Sequence, residues 1–156
     1  MAEPDEAPWL DHEEMAAWLG LVRLCIRLPA ALDAQLRRDA GISHFEYQAL
    51  AILSMSEGRT MAMSDIAEFT EGSLSRLSHA FRRFEAQGWA TRSPDPDDGR
   101  VTLARLTGAG YDKVAASAPG HVRTVRKLVL DPLTRKQVRQ LHEIVDRIGS
   151  AIDAAG

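Results

Sequence analysis

The sequence predicts a mostly α-helical protein with one small β-hairpin. Apolar residues recur at spacings of three and four along most of the 156-residue chain, a pattern typical of amphipathic helices. The exception is the stretch 89–106, where two short runs flank PDPDDGR, a segment rich in proline, aspartate and glycine. We therefore expect helices along most of the chain and two short strands, at 89–93 and 101–106.

The composition is that of an ordinary globular domain, with 45% apolar and 26% charged residues. No run reaches the roughly 18 apolar residues of a membrane span. The first 14 residues are acidic and lack the basic start of a secretory signal. A single cysteine, Cys25, excludes an internal disulfide framework. We therefore expect a cytoplasmic protein with no membrane partner.

The sequence of the N-terminal part, residues 1–41, predicts an arm followed by a long helix. Residues 1–10 carry two prolines and mixed charge, and are expected to form a flexible acidic arm. Asp11 and Glu14 have the spacing of a helix-capping box. Pro29 lies inside the helical pattern that follows, where it should kink or split the helix. Gly41 is the expected C-terminal cap.

Three shorter helices are expected in the middle of the chain. Ser43 and Glu46 form a second capping box, and the helix that they open is apolar on most sides, so it should be central. Ser64 should cap a short helix that ends at a turn over 70–72. The third helix of this group is expected over 73–87.

The sequence of the C-terminal part, residues 107–156, predicts two more helices. Thr107 should cap the first, and Pro119 should bend it. Thr134 and Gln137 form a third capping box. The last helix has a heptad-like apolar seam of Val138, Leu141, Val145, Ile148 and Ile152.

The segment 73–87 points to a nucleic-acid partner. Its apolar residues share one helix face, and its polar residues gather on the other. The apolar set is Leu74, Leu77, Phe81 and Phe84. The run 73–83 holds three arginines and no acid, although the whole chain has a net charge of −3. A local excess of guanidinium groups on one helix face indicates a polyanion.

The order of the expected elements predicts a helix-turn-helix that binds double-stranded DNA. This order is a helix, a tight turn, a second helix and a hairpin. The second helix of such a motif enters the major groove, where an arginine fork can bond two guanine acceptors. A hairpin arginine can reach the minor groove, and an ion pair with Asp97 or Asp98 would hold Arg100 in place. The candidate DNA contacts are Ser64, Ser73, Ser75, Arg76, Ser78, His79, Arg82, Arg83, Arg92 and Arg100.

Two segments resemble the MarR family of winged helix-turn-helix transcriptional regulators. SLSRLSHAFRRFEAQGW is similar to the family's recognition helix, and RSPDPDDGRVTLARLTGAG to its wing. The wing carries the family's Asp-x-Arg signature as Asp98-Gly99-Arg100, and the resemblance spans roughly residues 12–153. Gly99 departs from the pattern, since many members carry a second arginine there. A weaker or more mobile wing tip is therefore expected.

The resemblance implies a winged helix-turn-helix lobe with N- and C-terminal dimerisation helices. The expected division is an N-terminal dimerisation helix at 11–40, the DNA-binding lobe at 41–106, and C-terminal dimerisation helices at 107–156. It also implies a homodimer, most often a repressor. The two recognition helices should lie about 34–36 Å apart and read a near-palindromic operator.

Family members often release DNA when a small aromatic or phenolic effector binds between the dimer helices and the lobe. The resemblance places such a site on the first, second and fifth helices, and Arg23 or Arg27 could face an anionic ligand. The candidate residues are Trp18, Val22, Arg27, His44 and Tyr47. The competing interpretation places Trp18 and Val22 in the dimer core and Tyr47 inside the lobe.

Other classes of function remain as alternatives. A winged helix can serve as a protein-binding module without DNA. Some relatives sense oxidants through a first-helix cysteine, but Cys25 lies on the apolar stripe, where burial is expected. The five histidines are scattered without metal-site spacing, and no catalytic motif is present. We therefore expect neither an enzyme nor a cofactor.

Overall fold

The structure, a computed structural model, describes residues 8–155. Its helices and strands are α1 (His12–Ala40), α2 (His44–Met55), β1 (Thr60–Ala62), α3 (Met63–Phe69), α4 (Leu74–Ala86), β2 (Ala90–Pro94), β3 (Thr102–Leu106), α5 (Gly108–Val125) and α6 (Arg135–Ala155). A 3-10 turn (Glu57–Arg59) precedes β1, and a π-helical turn (Arg126–Leu130) follows α5. The mostly α-helical class with a small hairpin is confirmed. Most of the expected arm at 1–10 lies outside the described residues.

A central lobe is formed by α2, α3, α4 and the small sheet. Its core contains Leu50, Leu53, Ile66 and Leu77, none of which is exposed to solvent. The largely apolar α2 supplies much of this core, as expected from its sequence. The lobe thus buries one face of α4 and leaves the opposite face outside.

The sheet has three antiparallel strands in the order β1–β3–β2. Thr60 lies opposite Arg105, and Ala90 lies opposite Leu106. The hairpin of β2 and β3 matches the expected strands to within one residue at each end. The strand β1 was not predicted, because its three residues are too few to show an alternating pattern.

The local cap signals of the sequence, except that of Ser64, are confirmed. Capping boxes occur at Asp11–Glu14, Ser43–Glu46 and Thr134–Gln137. Gly41 ends α1 with φ of 67°, in the left-handed region where glycine is unstrained. The Thr107 hydroxyl accepts a hydrogen bond from the Gly110 amide at 3.0 Å, which caps α5. Each signal acts within one helical turn, so the sequence displays it directly.

Pro29 was expected to kink or split the first helix, and the split does not occur, because α1 runs without interruption from His12 to Ala40. A proline at this position removes the hydrogen bond to the carbonyl of Cys25. Both residues are exposed, so water can solvate that carbonyl. The helix α5 also continues through Pro119, where a bend and not a break was expected.

The prediction that Ser64 caps the third helix is also wrong. The N-cap of α3 is Ala62, which offers no side-chain cap, and the helix starts one residue before Ser64. The Ser64 hydroxyl instead donates to Asp65 at 3.1 Å. Pairing of β1 with β3 fixes the chain just before α3, so the helix starts without a polar cap.

Two long helices leave apolar side chains uncovered. In α1, Met15, Trp18, Leu19, Leu24 and Ile26 are between 42% and 69% exposed. No residue of α6 described by the structure is buried, and its seam residues Val145, Ile148 and Ile152 are 40–66% exposed. These faces lie outside the lobe core.

By length and composition alone, α1 could cross a membrane, with a mean hydropathy of 1.5 over 18 residues. Arg23 and Arg27 lie in the middle of its apolar part. Each charge at such a depth costs about 2.5–3.5 kcal/mol on insertion scales. An apolar face against another protein surface fits this helix better.

Candidate nucleic-acid interface

The helix α4 is positioned by a cap and a buried face. The Ser73 hydroxyl accepts a hydrogen bond from the Arg76 amide at 3.1 Å. Four apolar side chains of α4, Leu77, Ala80, Phe81 and Phe84, are at most 6% exposed. The opposite face of α4 therefore points away from the lobe.

The turn before α4 is tight. Glu71 has φ of 49°, and a Cβ on Gly72 would lie 2.5 Å from Cε2 of Phe45. Any larger residue at 72 would have to displace the Phe45 ring. The turn and α2 are thus in direct contact, which fixes where α4 begins.

The outward face of α4 brings together Ser75, Arg76, His79 and Arg82, which are all exposed, beside the half-buried Ser78. Among the residues described, neither His79 nor Arg82 has a side-chain hydrogen bond or ion pair. Both side chains are free to meet an external partner. The sequence pattern placed these residues on one face, and the structure does so as well.

Arg76 combines exposure with a fixed position. Its guanidinium carbon lies 4.0 Å from the centre of the Phe45 ring. Stacking on an aromatic face leaves the N–H groups in the guanidinium plane available. Phe45 therefore orients Arg76 without consuming its hydrogen-bond donors.

Arg83 is held by other residues of the same chain, whereas it was expected among the DNA contacts. Its Nη1 donates to both carboxylate oxygens of Glu46, at 3.0 and 3.2 Å, and its Nη2 donates to the Gly41 carbonyl at 2.7 Å. Residue 83 lies on the flank of α4 that faces α2. Sequence alone could not show that Glu46, 37 residues earlier, lies opposite.

Arg92 is also paired with a residue of the same chain. It forms a two-pronged ion pair with Glu85, with hydrogen bonds of 2.9 and 2.7 Å. The Arg92 hydrogen bonds hold the pKa of the Glu85 carboxyl below its usual value. This pair joins β2 to α4, so Arg92 lies at the base of the wing and not at its tip, where a minor-groove contact was expected.

Arg100 lies at the wing tip with 92% of its side chain exposed. Asp98 Oδ1 accepts hydrogen bonds from the Arg100 backbone amide at 3.1 Å and from Nε at 3.2 Å. The expected ion pair with Asp98 is therefore confirmed. The Nη groups extend past this contact and face solvent.

One residue of the predicted apolar face of α4 does not join the core. Leu74 is 54% exposed, although Leu77, one turn later, is fully buried. Leu74 occupies the first helical position after the Ser73 cap, before the helix has packed fully onto the lobe. Helical spacing alone could not reveal where the core ends.

The effector candidates do not line one cavity. Tyr47 is buried, and its ring centre lies 4.6 Å from that of His121, which in turn lies 5.7 Å from that of His44. Burial lowers the pKa of both His44 and His121. His121 was not among the candidates, because it lies 74 residues beyond Tyr47 in sequence.

Two clefts each include one of the effector candidates, Arg27 in the first and His44 in the second. One, of about 310 Å³, is lined by Arg23 and Arg27 of α1 and by Leu128. The other, of about 370 Å³, is lined by residues that include His44, Phe45 and Arg76. Neither cleft is lined by Trp18 or Val22, which lie nearer the start of α1.

Cys25 is exposed, so the expectation of a buried thiol is wrong for the single chain. Its neighbours on α1, Leu24 and Ile26, are 50% and 69% exposed. Within residues 8–155, no group of three histidine, cysteine or acidic side chains could hold a metal ion. The exposed polar and basic side chains described above lie on α4 and at the wing tip, and these two elements form the candidate site.

Comparisons with known proteins agree with this geometry. A family model described as the MarR family matches residues 40–101. The chain is 39% identical to Sco3205 of Streptomyces coelicolor, a MarR family transcriptional regulator whose crystal structure is in complex with DNA. That likeness covers 95% of this chain and 92% of Sco3205, with a TM-score of 0.88. The chain belongs to the MarR family. Family members are transcriptional regulators and not enzymes.

Two further relatives support the assignment. AbsC, another MarR family regulator of Streptomyces coelicolor, is 32% identical over 95% of this chain and 99% of its own, with a TM-score of 0.87. YdcH, an uncharacterised HTH-type transcriptional regulator of Bacillus subtilis, is 32% identical over 65 residues. That match covers 42% of this chain and 44% of YdcH, less than half of either protein. The winged helix-turn-helix fold and the resemblance read from the sequence are confirmed.

Proposed function

We propose that this MarR family member is a cytoplasmic homodimer that binds a near-palindromic operator in double-stranded DNA and acts as a repressor. The observation that carries the proposal is the outward face of α4. Ser75, His79 and Arg82 are exposed there, and Arg76 is held by Phe45. A helix with one buried face and one polar, basic face has the form that the major groove accepts.

The charge distribution supports the same partner. The chain has a net charge of −3, whereas residues 73–83 carry three arginines and no acid. Attraction to DNA must therefore be local to α4 and the wing. Contacts between these arginines and phosphates would make the affinity fall as the salt concentration rises.

A homodimer is supported by the surface of the single chain. It exposes 11328 Å², whereas a folded monomer of 17.2 kDa exposes about 7,800 Å². The excess is roughly 3,500 Å² per chain, more than the about 1,000–2,500 Å² that each chain of an obligate homodimer commonly buries, so the uncovered surface is large enough for such an interface. The uncovered apolar faces of α1 and α6 supply a natural interface.

Dimerisation would fix the spacing and orientation of the two α4 helices that contact DNA. A twofold axis between the subunits presents two α4 helices to the same side of the duplex, and their spacing should be about one turn of DNA. The DNA complex of Sco3205 shows that a protein with this fold and 39% identity binds DNA. In this arrangement Arg100 of each wing is directed towards the neighbouring minor groove.

We also propose that a small aromatic effector loosens this complex. The supporting observation is the cleft of about 370 Å³ whose walls include His44, Phe45 and Arg76. A ligand here would contact the ring that orients Arg76, so occupancy and DNA contact would be coupled. Adding a panel of phenolic acids to the preformed DNA complex tests this. Release by none of them would remove the effector from the proposal.

The main experiment is in vitro selection of bound duplexes from a random DNA pool. We expect a motif with twofold symmetry, with half-sites about 10 base pairs apart. Failure to enrich any motif would favour the alternative of a winged-helix module that binds protein. The matched control is the Arg82→Ala variant, which should enrich weakly, because it lacks one exposed guanidinium without losing a core contact.

A further inference from the structure

We infer that Leu74 reads the methyl group of a thymine in each half-site. The inference rests on the proposed DNA binding and adds a specificity-determining residue that the basic face of α4 does not supply. Leu74 is the one apolar residue of the predicted stripe that the lobe leaves outside, at 54% exposure. The other members, Leu77, Phe81 and Phe84, are fully buried.

The position of Leu74 on α4 makes it a base reader. It is the first helical residue after the Ser73 cap, and the N-terminal residues of a recognition helix are those that reach base edges. Ser75 follows it directly, and Ser78 lies one helical turn further along the same flank. These neighbours are small, so they do not hold Leu74 away from the floor of the groove.

The groups that the bases present in the major groove determine which base Leu74 can contact favourably. Thymine alone among the four bases presents a methyl group there, at C5. An isobutyl side chain has no hydrogen-bonding group, so it cannot distinguish guanine, adenine or cytosine by donors and acceptors. It gains only by covering apolar surface. The thymine methyl is the matching surface, whereas Arg76 and Arg82 provide the hydrogen bonds to other bases.

The test uses the enriched operator with single thymines replaced by deoxyuridine, which removes only the C5 methyl. At one symmetric pair of positions, the replacement should weaken binding by wild-type protein about fourfold for each half-site, as expected for one lost methyl contact. The Leu74→Ala variant should bind the thymine and uracil operators equally. Selection with this variant should also lose the thymine preference at that position.

Met55 provides the matched control, since it is 71% exposed and is the last residue of α2, so it is not part of α4. Met55→Ala should keep the full sensitivity to uracil. Retained sensitivity in Leu74→Ala, or no sensitive thymine for the wild type, would overturn the inference while leaving DNA binding intact. Absence of any enriched operator would instead overturn the proposed function. Thermal unfolding of both variants shows that each is folded during the assay.

Discussion

Adjacent arginines on α4 should have opposite roles, and substitution of each by methionine separates them. Arg83 binds Glu46 and the Gly41 carbonyl, whereas Arg82 is exposed and has no ion pair among the residues described. Methionine keeps the length and apolar stem of the side chain and removes the charge. Arg83→Met should therefore lower the free energy of unfolding, and Arg82→Met should lower affinity for DNA.

The magnitude for Arg83 follows from its contacts. The substitution leaves Glu46, which is 8% exposed, without its cation, and removes a donor from the Gly41 carbonyl. Breaking a fully buried pair costs about 3–5 kcal/mol. The Arg83 side chain is 46% exposed, so solvent screening reduces the expected loss to about 2 kcal/mol. Arg82→Met should change stability by less than about 0.5 kcal/mol.

Urea unfolding at fixed protein concentration measures stability, and a mobility-shift titration measures DNA affinity. A double-mutant cycle with Glu46→Gln isolates the coupling between Arg83 and Glu46. Arg82→Met should weaken specific binding by about 1–3 kcal/mol. The reasoning is refuted if Arg83→Met is as stable as the wild type, or if it loses DNA affinity as strongly as Arg82→Met.

Four further outcomes are expected. Arg76→Ala should weaken specific binding by about 1–3 kcal/mol and relax preference at one base position, as a selection with the variant would show; an unchanged motif counts against a reading role. Arg100→Ala should weaken binding evenly across sequences and reduce the salt slope by about 1, and a loss confined to one base position would contradict this. Cys25→Ser should leave the response of the DNA complex to peroxide unchanged; if only the variant keeps its DNA, the thiol is the sensor. Because burial lowers the pKa of His44 and His121 in the folded chain, the unfolded chain takes up more protons below about pH 6.5, so stability should fall as the pH drops from 7 to 5. Urea unfolding at several pH values between 5 and 7 measures this change in the free energy of unfolding. In the His121→Phe variant, the free energy of unfolding should depend less on pH.

Features that act within one turn of helix could be read from the sequence. The capping boxes at Asp11, Ser43 and Thr134 each involve a partner three residues away, so the pattern shows both members. The buried face of α4 followed from its spacing of three and four, except at Leu74. The family resemblance could also be read from the sequence, because the recognition helix and the wing are each formed by one continuous segment.

Long-range contacts could not be read in this way. Arg83 and Arg82 look alike in sequence, and only the fold shows that Glu46 lies beside the first of them. Likewise, Arg92 was expected at the DNA because nothing in the hairpin sequence revealed its pairing with Glu85. An ion pair between residues of different helices and strands depends on how these elements pack, and this information is spread over the whole core.

The contacts of Tyr47 show the same limit for the effector site. Its ring lies against His121 of α5, a residue that no local motif identifies. The candidates on α1, Trp18 and Val22, were grouped with Tyr47 by family resemblance, but none of the three lines the two clefts that include Arg27 and His44. A site assembled from several helices needs the coordinates of all of them.

The mass of the protein–DNA complex tests the central claim most directly. Native mass spectrometry of the protein with its selected duplex should show two 17.2 kDa chains on one DNA molecule. Lengthening the spacer between half-sites by five base pairs should abolish that species, because it turns one half-site to the opposite side of the helix. A complex of one chain per duplex, or one indifferent to the spacer, would contradict paired recognition by two α4 helices.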